Sequence, residues 1–311
     1  MNRKGDLQFS WIFAILVGSA ILFFIIYAAF KFGGVITFFS DTSLAKEITV
    51  FLEPMQAGIT EGKKSSFISK REVLFENYCV DEGLGYQMIS VAMVRRIEEN
   101  PSFGEQIKVT NKYVYTTKNP SKEFFIFSVP ITFAFKISDV IIIGEGEYCV
   151  VNPNEETKTL LEIIGKNIKF GEENCTEDSI RICFDSFIGC DIIIRGKCFE
   201  ENCESLYEIG NVEKNGESIL YAGNLLYPAL FSDKEIYECN LKRIFYKGYL
   251  LSKVYLEKMK KEEISDFDMK DDLEYLKNRF LERDISSLHQ IYLLSKEIRD
   301  KEKSMFNRIW S

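Results

Sequence analysis

Eight cysteines are the residues of this chain best placed to do chemistry: Cys79, Cys149, Cys175, Cys183, Cys190, Cys198, Cys203 and Cys239. Thiolates either ligate metal or pair as disulfides, and spacing separates the two uses. No C-x2-C pair occurs, and the single histidine, His289, lies far downstream in a segment of helical periodicity, so a zinc site lacks its usual ligands. An even count fits disulfides in an oxidising compartment. Eight cysteines allow many connectivities, which spacing leaves open, but the five between Cys175 and Cys203 point to a locally stapled region. Asn174-Cys175-Thr176 beside that cluster is a glycosylation sequon.

The remaining candidates for chemistry read as structural. A hydrolase triad needs a histidine base, yet His289 sits on a charged helix and no G-x-S-x-G nucleophile motif occurs. Gly58-Ile-Thr-Glu-Gly62-Lys63-Lys64-Ser65 has one residue too few between its glycines for a phosphate loop, and an extra lysine before the serine. Asp266, Asp268, Asp271 and Asp272 lack the glycine and distal glutamate of an EF-hand, and read as a solvated helix start. Gly144-Glu145-Gly146-Glu147 reads as a strand turn, with no second carboxylate opposite it. We expect no catalytic constellation, metal or cofactor.

The elements that hold these residues begin with Phe9 to Phe30, an uncharged run of about 22 residues, roughly 33 Å as a helix, which spans a bilayer. Trp11 and Tyr27 stand near its ends, where amphipathic rings favour the headgroup region. A cleaved secretory peptide is the main rival, but the run is too long and ends in Tyr27-Ala28-Ala29, with a bulky ring where such a site needs a small residue. Arg3 and Lys4 precede it, against Lys31 and then nothing basic until Lys46, which keeps the N-terminus cytoplasmic and exports the rest through the plasma membrane. All eight cysteines then fall on the exported side. Ala14 and Gly18 form a small-xxx-small pair that permits another membrane helix to approach, a route to self-assembly or a protein partner. Net charge of -8 and the lack of a basic patch argue against nucleic acid.

After a basic leader (1–8) and the anchor (9–30), residues 31–66 read as a stalk and linker, with a helix from Val35 to Leu52 ending before Pro54. Residues 67–232 read as a strand-rich domain, with strands at Glu72 to Val80, Gln87 to Arg95, Lys108 to Thr117 and Phe124 to Val151, the last broken near Pro130 and Gly144. A helix from Glu155 to about Lys169 follows, capped from Asn152-Pro153-Asn154. Short strands at Ser179 to Phe184 and Cys190 to Ile194 come next, and Asn215-Gly216 signals a hairpin.

From Asp233 the period becomes helical. Tyr237, Leu241, Ile244, Gly248, Leu251, Tyr255 and Met259 form one stripe, Met269, Leu273, Leu276 and Phe280 a second, and Ile285, Leu288, Tyr292, Ser295 and Ile298 a third. Asp268 and Asp284 are the candidate caps. Residues 233–311 are therefore expected as a helical hairpin or small bundle, and the whole as an α+β protein: an N-terminal transmembrane helix, a disulfide-containing strand-rich exterior and C-terminal helices.

The start, Met1-Asn-Arg-Lys-Gly5-Asp6, resembles the leader of archaeal type IV pilins and their relatives. The resemblance implies Arg3 and Lys4 as basic determinants and a prepilin-peptidase cut between Gly5 and Asp6; Ser10 stands where bacterial pilins carry Glu. The whole chain is similar to uncharacterised single-pass archaeal surface-type proteins with a K-G-x-x-Q/H-F-S-W-I-F-like start and a segment like Tyr237-Glu-Cys239-Asn-Leu-Lys-Arg243. The expected function is that of a membrane-anchored extracytoplasmic binding or scaffold protein. A pilin-like surface subunit is the alternative, and an extracytoplasmic enzyme the third.

Overall fold

The structure is a computed structural model and describes residues 15–27, 65–94, 101, 103–164, 167–185, 189–197, 207–261 and 267–304. Helix α1, residues 15–27, is the described part of the apolar run, and each of its side chains is exposed. Among the described residues no helix is long and apolar enough to cross a membrane; residues 9–14 and 28–30 lie outside them. The expected stalk helix, Gly58 to Lys64, Gly5, Asp6 and Ala14 also lie outside the described residues.

Two mixed six-stranded sheets follow. The first contains β1 (Ser65–Val80), β2 (Tyr86–Met93), β3 (Ile107–Thr110), β4 (Val114–Tyr115), β5 (Ser121–Thr132) and β6 (Lys136–Glu145), in the order β3-β2-β1-β5-β6-β4. Only β4 runs parallel to its neighbour. Strand β6 reads KISDVIIIGE and is buried on both faces, as an unbroken apolar run requires. Its even-numbered residues Val140 and Ile142 join the main core, whereas Ile141 and Ile143 join a second cluster. That second cluster takes side chains from all six strands, among them Phe75, Ile89, Val109 and Val114, so the sheet curls around its own apolar face.

The second sheet contains β7 (Tyr148–Val151), β8 (Ile168–Phe170), β9 (Ile180–Phe184), β10 (Ile192–Lys197), β11 (Ile209–Lys214) and β12 (Glu217–Ala222), in the order β12-β11-β10-β9-β7-β8. Helix α2 (Glu155–Ile164) crosses between the parallel strands β7 and β8. Asn215 and Gly216 both have positive φ, 52° and 74°, which makes the β11–β12 link the two-residue hairpin read from sequence. Helices α3 (Leu226–Leu230), α4 (Lys234–Lys261), α5 (Phe267–Glu282) and α6 (Leu288–Ser304) complete the fold. The three predicted stripes face inward, with Leu241, Leu273, Phe280 and Ile298 fully buried. α5 packs on α4, α6 packs on α5 and β12, and one apolar core contains residues of both sheets and of α2 to α6.

Several boundaries need correction. The expected strand Lys108 to Thr117 is two strands, because Asn111 turns the chain at φ 57°. Pro130 lies inside β5 opposite Asp139, beyond the stretch where β1 pairs, so its missing N–H costs no bond to β1. Gly144 lies inside β6 opposite Phe125, whose ring occupies the space of the absent Cβ. The break expected near Pro130 is made by Phe133, Ala134 and Phe135, all buried, and the one expected near Gly144 by Gly146 and Glu147. The helix expected to reach Lys169 ends at Ile164, and Ile168 to Phe170 is β8. Asp268 is inside α5 and is not its cap, whereas Asp284 accepts from the Ser286 N–H at 3.0 Å as predicted.

Three disulfides join Cys79 to Cys239, Cys149 to Cys175 and Cys183 to Cys190. They fit an oxidising, extracytoplasmic location. Cys198 and Cys203 lie outside the described residues. Around the first bond, the segment Tyr237 to Arg243 holds both sheets, β12 of the second and the curled first sheet. Tyr237 Oη donates to Leu220 O at 2.6 Å, and Asn240 Nδ2 donates to Val114 O at 3.1 Å. Arg243 donates through Nε to Leu84 O at 3.0 Å and through Nη1 to Asn240 Oδ1 at 2.7 Å. Gln87 brackets Val114 from the other side, accepting from its N–H at 2.8 Å and donating to its carbonyl at 2.7 Å, which closes the short strand β4 against β2.

Candidate functional site

A cleft of about 540 Å³ with a polar lining lies between α2, the end of β12 and α6. It is large enough for a small organic ligand. Tyr292 and Arg299, seven residues and two turns apart on α6, supply one wall. Tyr207 and Glu208 enter just before β11, Asn224 from the turn that leads into α3, and Tyr227 from α3 itself. Gly223 lets that turn close on α6: its φ is +53°, and a Cβ there would stand 3.0 Å from the Tyr292 ring.

The charged groups of the cleft are bonded within it. Glu208 accepts from Tyr292 Oη at 2.8 Å and from Lys296 Nζ at 3.1 Å. Burial first, and then this bond to Glu208, push the Tyr292 phenol up to about 12, so it remains a donor at neutral pH. Arg299 lies 5.9 Å from the centre of the Tyr292 ring and is hydrogen-bonded to its phenol. At the far wall Asn154 caps α2, accepting from the Thr157 N–H at 2.9 Å. Thr157 itself is only 4% exposed and lines the cleft. Thr159, two residues on, behaves in the usual helical way and donates back to Glu155 O at 2.8 Å.

A second polar centre lies where the two sheets meet. Glu145, at the end of β6, is 5% exposed and accepts from Thr117 Oγ1 and, at 3.0 Å, from Asn119 Nδ2. Burial outweighs these bonds and pushes its carboxyl up to about 7. Lys214, at the end of β11, donates to Ala229 O at 2.7 Å, Leu230 O at 3.1 Å and Ser232 O. These are carbonyls at and just beyond the end of α3, where the helix has no N–H of its own to offer, so Lys214 is its cap. Burial pulls its ammonium down to about 8. With three carbonyls on its Nζ, Lys214 is placed for structure.

The other residues singled out in the sequence are dispersed. His289 Nε2 lies 3.0 Å from Gly210 O and 3.1 Å from Tyr221 O, where its N–H pins α6 to the β11–β12 hairpin. Asn174 is exposed beside the Cys149–Cys175 bond, and its Nδ2 donates to Phe170 O at 2.7 Å. Asp272 pairs with Lys301 at 2.5 Å, and no group of metal ligands forms among the described residues. Glu147 is half-buried and paired with Lys169 at 2.8 Å, whereas Glu145, two residues before it, is buried, a split that the run Gly144 to Glu147 conceals. A Cβ on Gly18 would meet no other described residue within 4 Å. The cleft residues carry no motif: Tyr292 was legible only as a core stripe position, and Glu208, Asn224 and Arg299 not at all. No family model, curated protein or solved structure matches the chain.

Proposed function

We propose that this chain is a membrane-tethered extracytoplasmic binding protein, with its ligand held in the cleft between α2, β12 and α6. The observation that carries the reading is the cleft itself: a roughly 540 Å³ concavity on which the polar groups of Glu208, Asn224, Tyr292 and Arg299 converge. Preformed pockets of this size with a few convergent polar groups are the usual form of a small-molecule site. The disulfides support export, and the basic leader and the apolar run from Phe9 to Phe30 support a tether with the N-terminus inside.

The test is a thermal-shift screen of the full chain, extracted in detergent, against chemically diverse polar small molecules. At least one class should raise Tm, and Tyr292→Ala should remove that rise. A screen in which no compound distinguishes the wild type from that variant would overturn the reading.

A pilin-like subunit is the second reading, favoured by the uniformly exposed side chains of α1 and the open space around Gly18, which a neighbouring helix would fill. An N-terminus at Asp6 in the membrane-extracted protein supports it; an intact Met1 removes it.

A further inference from the structure

We infer that Asn174 is a site of N-glycosylation, and that the sugar is added before the Cys149–Cys175 disulfide closes. Export, which the disulfides support, is required for this; the cleft is not. The chain contains three Asn-x-Ser/Thr triplets, at Asn100, Asn119 and Asn174, and the first two carry proline in the middle, which disqualifies them. Asn174-Cys175-Thr176 remains. Its Asn174 and Thr176 are both exposed, on a turn whose neighbours Glu172, Glu173, Glu177 and Asp178 are exposed as well. A glycan there stands in water and covers no apolar contact.

In the folded chain every residue of that triplet is engaged. Glu172 to Asn174 form a single 3₁₀ turn, entered through Gly171 at φ +88° and closed by the Cys175 N–H donating to Glu172 O at 3.2 Å. The Gly171 N–H donates to Val150 O of β7 at 3.0 Å, and Cys175 is bonded to Cys149 of the same strand, with Cα atoms 5.3 Å apart. Asn174 Nδ2 donates to Phe170 O at 2.7 Å and to Glu173 Oε1 at 3.3 Å, which uses both of its hydrogens. Thr176 Oγ1 donates to Glu147 Oε1 at 3.2 Å.

Sugar transfer replaces one amide hydrogen. A bond forms between Nδ2 and C1 of the sugar, and the bond from C1 to the phosphate of a lipid-linked donor breaks. The phosphate leaves with the bonding electron pair, and the amide proton passes to a base of the transferase. That enzyme must hold the carboxamide and the threonine hydroxyl together, and neither is free while the turn stays tied to β7. Before the disulfide closes, both are. After transfer the nitrogen keeps one hydrogen, enough for Phe170 O, the shorter of its two bonds, so the turn can form with the glycan in place.

The experiment has two arms, both on the full chain. In protein extracted from the membranes of the cells that make it, mass spectrometry of the peptide around Asn174 should find a sugar increment. The increment should vanish in Thr176→Val, which keeps Asn174 itself, and Asn100 and Asn119 should be unmodified. An unmodified Asn174 overturns the site and the order together. In the second arm, chain made in cells without a transferase is folded, oxidised and incubated with native membranes that supply transferase and donor, the reduced and unfolded chain serving as positive control. The double variant Cys149→Ser, Cys175→Ser keeps a valid triplet and should accept sugar at Asn174 about tenfold faster than wild type or more, because its turn is released from β7. Cys79→Ser, Cys239→Ser loses a disulfide elsewhere and should stay as unreactive as wild type. Transfer to oxidised wild type at the rate of the unfolded chain overturns the order and leaves the site. Equal transfer to the two double variants, or transfer to neither, overturns the role given to the Cys149–Cys175 bond.

Discussion

Cys79 near the end of β1 and Cys239 in the second turn of α4 are bonded across 160 residues of sequence, with Cα atoms 6.1 Å apart. The bond sits beside the polar contacts through which α4 holds the curled sheet. Closing so long a loop removes much of the freedom of the unfolded chain, by roughly 5 kcal/mol in the chain-entropy account. The double variant Cys79→Ser, Cys239→Ser should therefore lose about 3 to 5 kcal/mol in urea denaturation. Loss of under 1 kcal/mol would show that the packing of α4 alone determines the closure.

Gly85 is required by Arg243. At φ +59° a Cβ would collide with the Val80 carbonyl and stand 2.9 Å from Arg243 Nε, the atom that donates to Leu84 O. Gly85→Ala should cost more than about 2 kcal/mol, whereas Gly146→Ala, at φ +77° but with nothing within 4 Å, should cost only about 1 kcal/mol. Arg243→Met removes a buried charge together with its bonds and leaves Leu84 O and Asn240 Oδ1 unfilled; we expect about 3 kcal/mol lost. Comparing the denaturation midpoints of the three variants decides the point.

Glu145 makes stability depend on pH. Its folded pKa, about 7, lies above the ordinary 4.5, so between those values the folded state binds more protons than the unfolded state. This group's contribution is fully present below about pH 4.5 and is lost as pH rises through 7, at about 1.4 kcal/mol per pH unit and about 3 kcal/mol in all. Tm of the wild type should fall between pH 5 and 8 relative to Glu145→Gln, which keeps the acceptor oxygen for Thr117 and Asn119. Parallel profiles for the two proteins would exclude this origin.

Lys214→Met should destabilise by about 2 kcal/mol by stripping the donors from Ala229 O, Leu230 O and Ser232 O, with hydrogen exchange rising first at the α3–α4 junction. Unchanged protection there would remove Lys214 from its capping role.

Non-reducing alkylation in the native state should leave Cys79, Cys149, Cys175, Cys183, Cys190 and Cys239 unlabelled, with labelling only after reduction. Free thiols at most of these positions would contradict export.

Much of the architecture was legible in local pattern. The three helical stripes, the Asn215-Gly216 hairpin and the Asp284 cap each arise from interactions within a few residues, so period, positive φ and a short side-chain bond announce them in the chain itself. The even set of cysteines beyond a basic leader likewise pointed to disulfides. What local pattern misplaced was decided by burial. Phe133-Ala134-Phe135 reads as strand but forms a turn, because its rings pack against Phe245, Phe280 and Tyr255 of α4 and α5. The breaks expected near Pro130 and Gly144 fall at Phe133 to Phe135 and at Gly146-Glu147, while Pro130 and Gly144 themselves lie inside strands, tolerated by the reach of β1 and by the neighbouring ring.

The candidate site was legible hardly at all. Glu208, Asn224, Arg299 and Thr157 come from four elements up to 142 positions apart, and no spacing rule links them. The amino-acid sequence by itself determined the apolar N-terminal run, the cysteine set and the helical third, because each depends on composition or on period. Which cysteines pair, which glutamate is buried and which polar groups are left facing one cleft were decided only by tertiary structure, because burial and pairing are properties of neighbours that the fold alone brings together.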